Sequence, residues 1–318
     1  MKQNLRFGII IAVISFALTP AFAKKITLGL SVDQLFESRV GVNNAIKEEA
    51  EKRGFDVIEV VADGDAQSQN AQIQSLITQQ IDALLVCAVD QNTIERALML
   101  ARRSKIPVVA YDRDLPKSRV VAAFVGPDSV SDGREAGAYT AKLLQDIEGE
   151  VLVLELLGAL NDQNGIDRSK GFREKIEILP NVKIIKVPTD WDSARALSGT
   201  QNAFQANNKI HAVFAATDTH IPAVETVLSG LDKLHLAGED GHVILTGING
   251  SNDGYQAVAK GHADGIVVMD LAGTGQKAVS LAADLIEGKQ VKRTNVIPGI
   301  FYTHEDIEAN QSKVWGAK

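Results

Sequence analysis

The sequence of 318 residues has one cysteine, few aromatic residues and no run of more than two basic residues. The lone cysteine, Cys87, cannot form an internal disulfide, and its apolar neighbours predict a buried position. The formal net charge of −7 and the lack of a basic block argue against nucleic acid as a partner. These features exclude a disulfide scaffold and disfavour a nucleic-acid-binding domain.

Sequence motifs of enzymes are also missing. The first predicted strand is followed by Ser31-Val32-Asp33-Gln34, where a dinucleotide-binding turn would have Gly-x-Gly-x-x-Gly, and no Walker loop occurs. There is no Gly-x-Ser-x-Gly elbow and no His-Glu-x-x-His pair, and the six histidines are not paired at metal-ligand spacing. We therefore expect no catalysis, no bound metal and no cofactor.

Residues 1–23 have the pattern of a secretory signal peptide. Lys2 and Arg6 begin it, an apolar run extends from Phe7 to Leu18, and Ala21-Phe22-Ala23 matches a cleavage site. No later apolar run approaches the roughly 18 residues that a membrane span needs. We expect a monomeric protein that is exported to the periplasm and is not embedded in the membrane.

From residue 24 onward the pattern alternates strand and helix in two successive runs. Short apolar segments such as Ile26 to Leu30 and Pro107 to Tyr111 predict buried parallel strands. Between strands, apolar residues recur at helical spacing, and a second run of the same kind follows Asp128. We predict an α/β fold of two doubly wound parallel-sheet lobes.

Three local features of this fold are also predicted. Residues 120–125 form the fifth strand, and a helix extends from Arg168 to Ile178. Thr303 and Asp306 have the spacing of a capping box, which predicts a last α-helix in the tail.

Polar and aromatic residues follow the predicted strands, at the edge where open α/β sheets bind ligands. One apolar strand ends at Asp112 and Arg113, a carboxylate and a guanidinium that can bind adjacent hydroxyls of a polyhydroxylated ligand. The same pair also fits a surface turn after a strand. Phe36 and Trp191 can stack on the apolar face of a sugar or pack in the core or rim. Further residues at strand ends are Asp33, Arg39, Asn161, Asp162, Asn164, Thr217, Asn249 and Asp270.

Four stretches together resemble the periplasmic sugar-binding proteins of the ribose-, xylose- and galactofuranose-binding type. They are residues 63–90, Tyr111-Asp112-Arg113, Arg168-Ser169-Lys170-Gly171-Phe172 and Gly247-Ile248-Asn249-Gly250. The resemblance implies two lobes joined by a three-strand hinge, with residues 24–127 and about 270–296 in the N-terminal lobe. The C-terminal lobe would contain residues 128–269 and about 297–318.

The resemblance also implies a set of ligand contacts. The family's sugar-binding Asp-Arg pair falls on Asp112 and Arg113, its second arginine on Arg168, and its stacking aromatic residue on Trp191. Arg39 resembles an arginine of the xylose-binding type. The complete expected set is Asp33, Phe36, Arg39, Asp112, Arg113, Arg168, Trp191, Thr217, Asn249 and Asp270.

Three positions depart from the family pattern. Thr217 stands where asparagine is usual, and Asn249 stands where members have a sugar-binding aspartate. Met269 takes the usual polar position on the hinge strand, which leaves Asp270 as a substitute. Because a carboxylate is a strong acceptor, its loss predicts that the hydroxyl recognised there differs from the one bound by the ribose type.

The function implied is capture of a neutral monosaccharide or polyol by lobe closure, with delivery to an ABC importer. The permease and ATPase of the importer are then indirect partners. The alternative is a periplasmic sugar sensor whose closed form contacts a histidine kinase or a chemoreceptor. The sequence fits both hypotheses.

Overall fold

The computed structural model describes residues 24–207 and 209–317, so the predicted signal peptide lies outside the described residues. The first lobe begins with regular alternation of strand and helix. In chain order its elements are β1 (Thr27–Val32), α1 (Glu37–Lys52), β2 (Asp56–Val61), α2 (Ala66–Thr78), β3 (Ala83–Val86), α3 (Glu95–Arg103), β4 (Val108–Tyr111) and β5 (Ala123–Pro127).

The second lobe repeats this alternation. Its elements are α4 (Ser129–Leu144), β6 (Val151–Leu157), α5 (Gln163–Ile176), β7 (Val182–Pro188), α6 (Ser193–Ala206), β8 (Ala212–Ala215), α7 (Ile221–Gly230), β9 (Ile244–Asn249), α8 (Asn252–Ala259) and β10 (Gly265–Val268). The chain ends with α9 (Leu271–Ile286), β11 (Thr294–Ile297) and β12 (Ile300–Thr303), and short 3-10 helices occupy Asp218–His220 and Glu308–Lys313.

The strands form two six-stranded sheets. Their orders are β11-β5-β4-β3-β1-β2 and β12-β10-β9-β8-β6-β7. The strand pairs are parallel except β12, which is antiparallel to β10. Because helices cover both faces of each sheet, the central strands β3, β4 and β8 are buried along their whole length. The predicted fold of two doubly wound lobes is confirmed.

The chain passes between the two sheets three times, and these crossings form the hinge. The first crossing follows β5, the second lies between β10 and α9, and the third joins β11 to β12. Helix α9 packs on α1 beside the first sheet, although β10 before it belongs to the second. The residue boundaries of the lobes stay a prediction, because a hinge segment belongs to neither sheet.

Local features differ from the sequence predictions at three places. Strand β5 starts at Ala123 rather than at residue 120. Helix α5 starts at Gln163, five residues before Arg168, because the Asp162 carboxylate caps it by accepting from the Asn164 amide at 2.9 Å.

The third difference is in the tail. The predicted capping contact forms, since Asp306 Oδ1 accepts from the amide of Thr303 at 2.6 Å. The chain then makes turns and the 3-10 helix Glu308–Lys313 instead of the predicted α-helix. A cap satisfies the first free amide groups, but continued α-helix depends on the following residues as well. Within the described residues, no helix combines the length and apolarity that crossing a membrane requires.

Helices α4 and α5 approach each other through glycines. A Cβ atom added to Gly133 would lie 2.2 Å from the carbonyl oxygen of Arg168, and one added to Gly171 would lie 2.0 Å from that of Val130. Such distances are too short for a real Cβ atom, so glycine is required at both positions. The close packing fixes the helix that carries Arg168.

We predict that Gly133→Ala destabilises the protein by about 1–3 kcal/mol, because the added methyl group must push α5 away from α4. Thermal unfolding followed by circular dichroism measures this change. Gly230→Ala is the matched control, since Gly230 is also helical and nothing lies within 4 Å of its added Cβ. The control should be as stable as wild type or slightly more stable. Equal unfolding temperatures for Gly133→Ala and wild type would contradict the packing argument.

Candidate functional site

The carboxyl ends of strands from both sheets meet at a cleft between the lobes. A cavity of about 270 Å³ lies in this cleft. Eight of the ten residues predicted from the sequence line it, namely Phe36, Arg39, Asp112, Arg113, Arg168, Trp191, Thr217 and Asn249. The cavity therefore contains predicted side chains that are up to 213 positions apart in the sequence, from Phe36 to Asn249.

The other two predicted residues lie elsewhere. Asp33 is almost fully buried, with 1% of its surface exposed. From outside the cavity it forms ion pairs with Arg39 and Arg113. Asp270 is exposed and caps α9, because its Oδ1 accepts from the amide of Gly273 at 2.7 Å. The expectation that Asp270 replaces the hinge-strand ligand contact is therefore corrected. Met269, the residue before it, lines the cavity instead.

Five charged side chains form an alternating chain along the cleft. Arg39 Nη2 lies 2.7 Å from Asp112 Oδ2, and Arg39 Nε lies 2.8 Å from Asp33 Oδ1. Arg113 Nη1 lies 2.8 Å from Asp33 Oδ2, and Arg113 Nε lies 2.9 Å from Asp162 Oδ2. Each charge thus has at least one partner of opposite sign, which is the condition for burying charges at tolerable cost.

The pKa shifts agree with this arrangement. Burial acts to raise the pKa of Asp33, but the positive charges of Arg39 and Arg113 outweigh it and hold that pKa below its usual value. Burial acts to lower the pKa of Arg113, but the charge of Asp162 contributes most to raising it above the usual arginine value. Asp33 and both arginines are therefore ionised at neutral pH.

Three residues of the cavity have a positive φ, and two of them, Asp112 and Trp191, have left-handed helical values. Asp112 has φ of 62° and Trp191 has φ of 63°. A bulky residue rarely adopts this conformation, and it persists where surrounding contacts enforce it. The carbonyl oxygen of Asp112 accepts from Asn164 Nδ2 at 3.1 Å, and the indole Nε1 of Trp191 donates to Asp162 Oδ2 at 3.0 Å. These contacts hold both side chains at the cavity wall.

Arg168 reaches the cavity without an acidic partner within ion-pair distance among the described residues. Its Nη1 donates to the carbonyl oxygen of Ala216 at 2.8 Å, and its Nη2 contacts Met269 Sδ at 3.1 Å. Its guanidinium also lies 5.7 Å from the centroid of the Trp191 ring. Its Nε is buried and has no acceptor in the described part of the chain, and the residue as a whole is 5% exposed. Arg168 therefore has a buried N–H donor that lacks a partner in this part of the chain.

The expected set of ligand contacts left out several residues that line the cavity. Asp162 and Asn164 follow a predicted strand, but nothing in the pattern indicates that they contact the opposite lobe. Both flank the start of α5, and the early start of that helix is the signal that could have found them. Ser38, Thr219 and Met269 also line the cavity. No group of three or more His, Cys, Asp or Glu side chains in residues 24–207 and 209–317 is arranged to hold a metal ion.

Two doubly wound lobes that share a polar cavity at their strand ends define a solute-binding protein. Comparison with known sequences gives the family. The profile described as periplasmic binding protein domain matches residues 31–290, and the chain belongs to this family. This match, together with the similar proteins in the next paragraph, confirms the resemblance to sugar-binding proteins of ABC importers.

The similar proteins cover most of the chain. The ribose import binding protein of Bacillus subtilis strain 168 is 30% identical over 280 residues, which are 86% of each chain. The galactofuranose-binding protein of Escherichia coli K12 is 30% identical over 272 residues, 81% of this chain and 82% of that one. A solved solute-binding protein of an ABC transporter from Bacillus halodurans C-125, with bound myo-inositol, has a TM-score of 0.82 and 26% identity, covering 91% of this chain and 98% of the other.

We predict that Asp33→Asn destabilises the protein by roughly 3 kcal/mol at pH 7, since Arg39 and Arg113 each lose a buried carboxylate. The pKa of Asp33 is lowered in the folded state, so its stabilising effect is present above its unfolded pKa of 3.8 and is lost as pH falls below that value. The difference between variant and wild type should therefore shrink at pH 3. Urea unfolding at both pH values measures it.

The matched control for this prediction is Asp56→Asn. Asp56 pairs with Lys25 on the surface, where both side chains are more than half exposed. Its loss should change the free energy of unfolding by less than about 1 kcal/mol at either pH. If Asp33→Asn changes the free energy of unfolding no more than this control does, the buried chain of charges does not need Asp33.

Proposed function

We propose that the protein captures one neutral monosaccharide or polyol in this cavity, in the periplasm, and delivers it unchanged to the permease and ATPase of an ABC importer. The importing relatives support transport rather than the sensor alternative. The observation that carries the proposal is the set of polar side chains that line the cavity. Donors and acceptors come from both lobes, with three arginines and three buried aspartates in and directly behind the wall.

The balance of charge supports a neutral ligand. The positive charges of Arg39, Arg113 and Arg168 are matched in number by the buried aspartates Asp33, Asp112 and Asp162, and the one further charged residue of the lining, Glu37, is exposed to solvent. One hydroxyl group can donate to Asp112 and another can accept from the Arg168 guanidinium in the cavity wall, so a polyhydroxylated molecule satisfies both kinds of group without adding charge.

The size of the cavity supports a small ligand. A volume of about 270 Å³ lies at or below the lower end of the usual range for pockets that bind small molecules, roughly 300–1,000 Å³. A single sugar ring or a cyclic polyol is in keeping with such a volume. The ring of Trp191 offers an apolar face on which the C–H face of a sugar can stack.

Closure follows from the distribution of these groups. Asp112 and Arg113 follow β4 in the first lobe, whereas Arg168, Trp191 and Asn249 belong to the second. A ligand that contacts both sets gains its full binding energy in the closed form, and it shifts the equilibrium between open and closed forms by that difference. The closed form then presents one continuous surface of both lobes to the importer.

We predict that a panel of pentoses, hexoses, furanoses and polyols contains at least one compound that raises the melting temperature of the full chain. The panel includes D-ribose, D-xylose, L-arabinose, D-allose and myo-inositol. Asp112→Ala should weaken the binding of the best compound by at least about 100-fold, which corresponds to roughly 2.7 kcal/mol, because it removes an acceptor and the partner of Arg39. Isothermal titration calorimetry measures the loss.

The matched control is Asp114→Ala. Asp114 is two residues away, lies outside the 270 Å³ cavity and pairs with Arg293. Its variant should bind the same compound as wild type does. The proposal is wrong if no sugar or polyol raises the melting temperature, or if Asp112→Ala and Asp114→Ala bind equally well.

A further inference from the structure

The segment that begins α5 contacts the opposite lobe at three points. Arg113 Nε of the first lobe lies 2.9 Å from Asp162 Oδ2 of the second. Asn164 Nδ2 donates to the carbonyl oxygen of Asp112 at 3.1 Å. Gln91 Nε2 donates to the carbonyl oxygen of Asn161 at 3.4 Å. Of these three contacts, the first joins two opposite charges.

The Asp162 carboxylate serves three groups at once. Oδ2 accepts from Trp191 Nε1 at 3.0 Å in addition to its contact with Arg113. Oδ1 accepts from the amide of Asn164 at 2.9 Å and so fixes the carboxylate at the start of α5. The side chain is 7% exposed and that of Arg113 is 16% exposed. With Oδ1 anchored in this way, Oδ2 contacts both an arginine of the first lobe and the aromatic ring of the second.

We propose that Asp162 is a latch for lobe closure and a positioning residue for Arg113 and Trp191. This inference rests on the proposed function, because it takes both partners to be ligand contacts. The Arg113 and Asp162 side chains can meet only when the lobes are together, so their attraction stabilises the closed form and not the open one. When the lobes separate, water solvates both groups.

The latch has a consequence for affinity. Apparent affinity equals the intrinsic affinity multiplied by the fraction of molecules in the binding-competent form. By raising the closed fraction before any sugar binds, Asp162 lowers the cost of closure that the sugar would otherwise have to offset. It also sets the orientation of the Arg113 guanidinium and the Trp191 ring in advance.

Asp162→Asn isolates the charge. An asparagine keeps one oxygen that can cap α5 and has good N-cap preference, but it has no negative charge for Arg113. Arg113 retains Asp33 as a partner, so it is not left as an unpaired buried charge. Asp162→Ser is the second variant, since serine also caps helices and loses the contacts with both Arg113 and Trp191.

The test measures the distance between the lobes in the full chain without added sugar. Spin labels are placed at Leu35→Cys and Leu160→Cys, two exposed positions on opposite lobes, and distances are measured by double electron–electron resonance. Cys87 is fully buried, and burial raises the pKa of its thiol, so it does not compete for the label. We expect Asp162→Asn and Asp162→Ser to lower the closed-to-open ratio by at least about fivefold at an unchanged circular dichroism spectrum.

Asp65→Asn is the matched control. Asp65 also caps a helix, α2, by accepting from the amides of Gln67 and Ser68, but it is exposed. Its variant should give the wild-type distance distribution. If both Asp162 variants also give that distribution, Asp162 is not a latch. Because no sugar is present, this result is separate from the sugar screen: a failed screen with shifted distances rejects the ligand class and keeps the latch.

Discussion

The alternating chain of Asp112, Arg39, Asp33, Arg113 and Asp162 is the constraint on which the rest of the cleft depends. A buried charge that loses its partner costs several kcal/mol, so each member of the chain requires its neighbours. The central member, Asp33, is 1% exposed and has arginines on both sides. The chain therefore fixes the directions of Asp112 and Arg113 before any ligand binds, and its last link reaches the second lobe.

The fold supplies the positions from which these charges converge. Parallel strands end at one edge of each sheet, and the chain crosses between the sheets three times, so the two edges face a common cleft. Left-handed backbone at Asp112 and Trp191 turns the chain sharply where strands end. On the second lobe, the glycine contacts between α4 and α5 fix the helix that carries Arg168. Both the backbone conformation and contacts with charged side chains therefore fix the positions of Asp112 and Trp191.

Much of this could be predicted from the sequence, because apolar strands and the residues that follow them are local features. The pattern cannot tell whether a side chain after a strand enters the cleft or caps the next helix, which is why Asp270 was misplaced. It cannot show which residues of separate lobes meet, so the contact of Asp162 with Arg113 was missed. Strands β11 and β12 are only partly buried, so their sequences lack the continuous apolar run that marks equally short strands such as β4.

The surroundings of Arg168 limit the chemistry of the ligand further. A carbonyl oxygen and a sulfur atom accept from its Nη groups, and sulfur is a weak acceptor. Asn249 in the cavity wall is an uncharged amide, and no carboxylate in the described residues lies within ion-pair distance of the Arg168 guanidinium. An uncharged oxygen of the ligand, such as a hydroxyl or ring oxygen, can accept from the Arg168 guanidinium in place of the sulfur without disturbing the balance of the other charges. The methionine beside it favours a C–H surface at that end of the ligand over another hydroxyl.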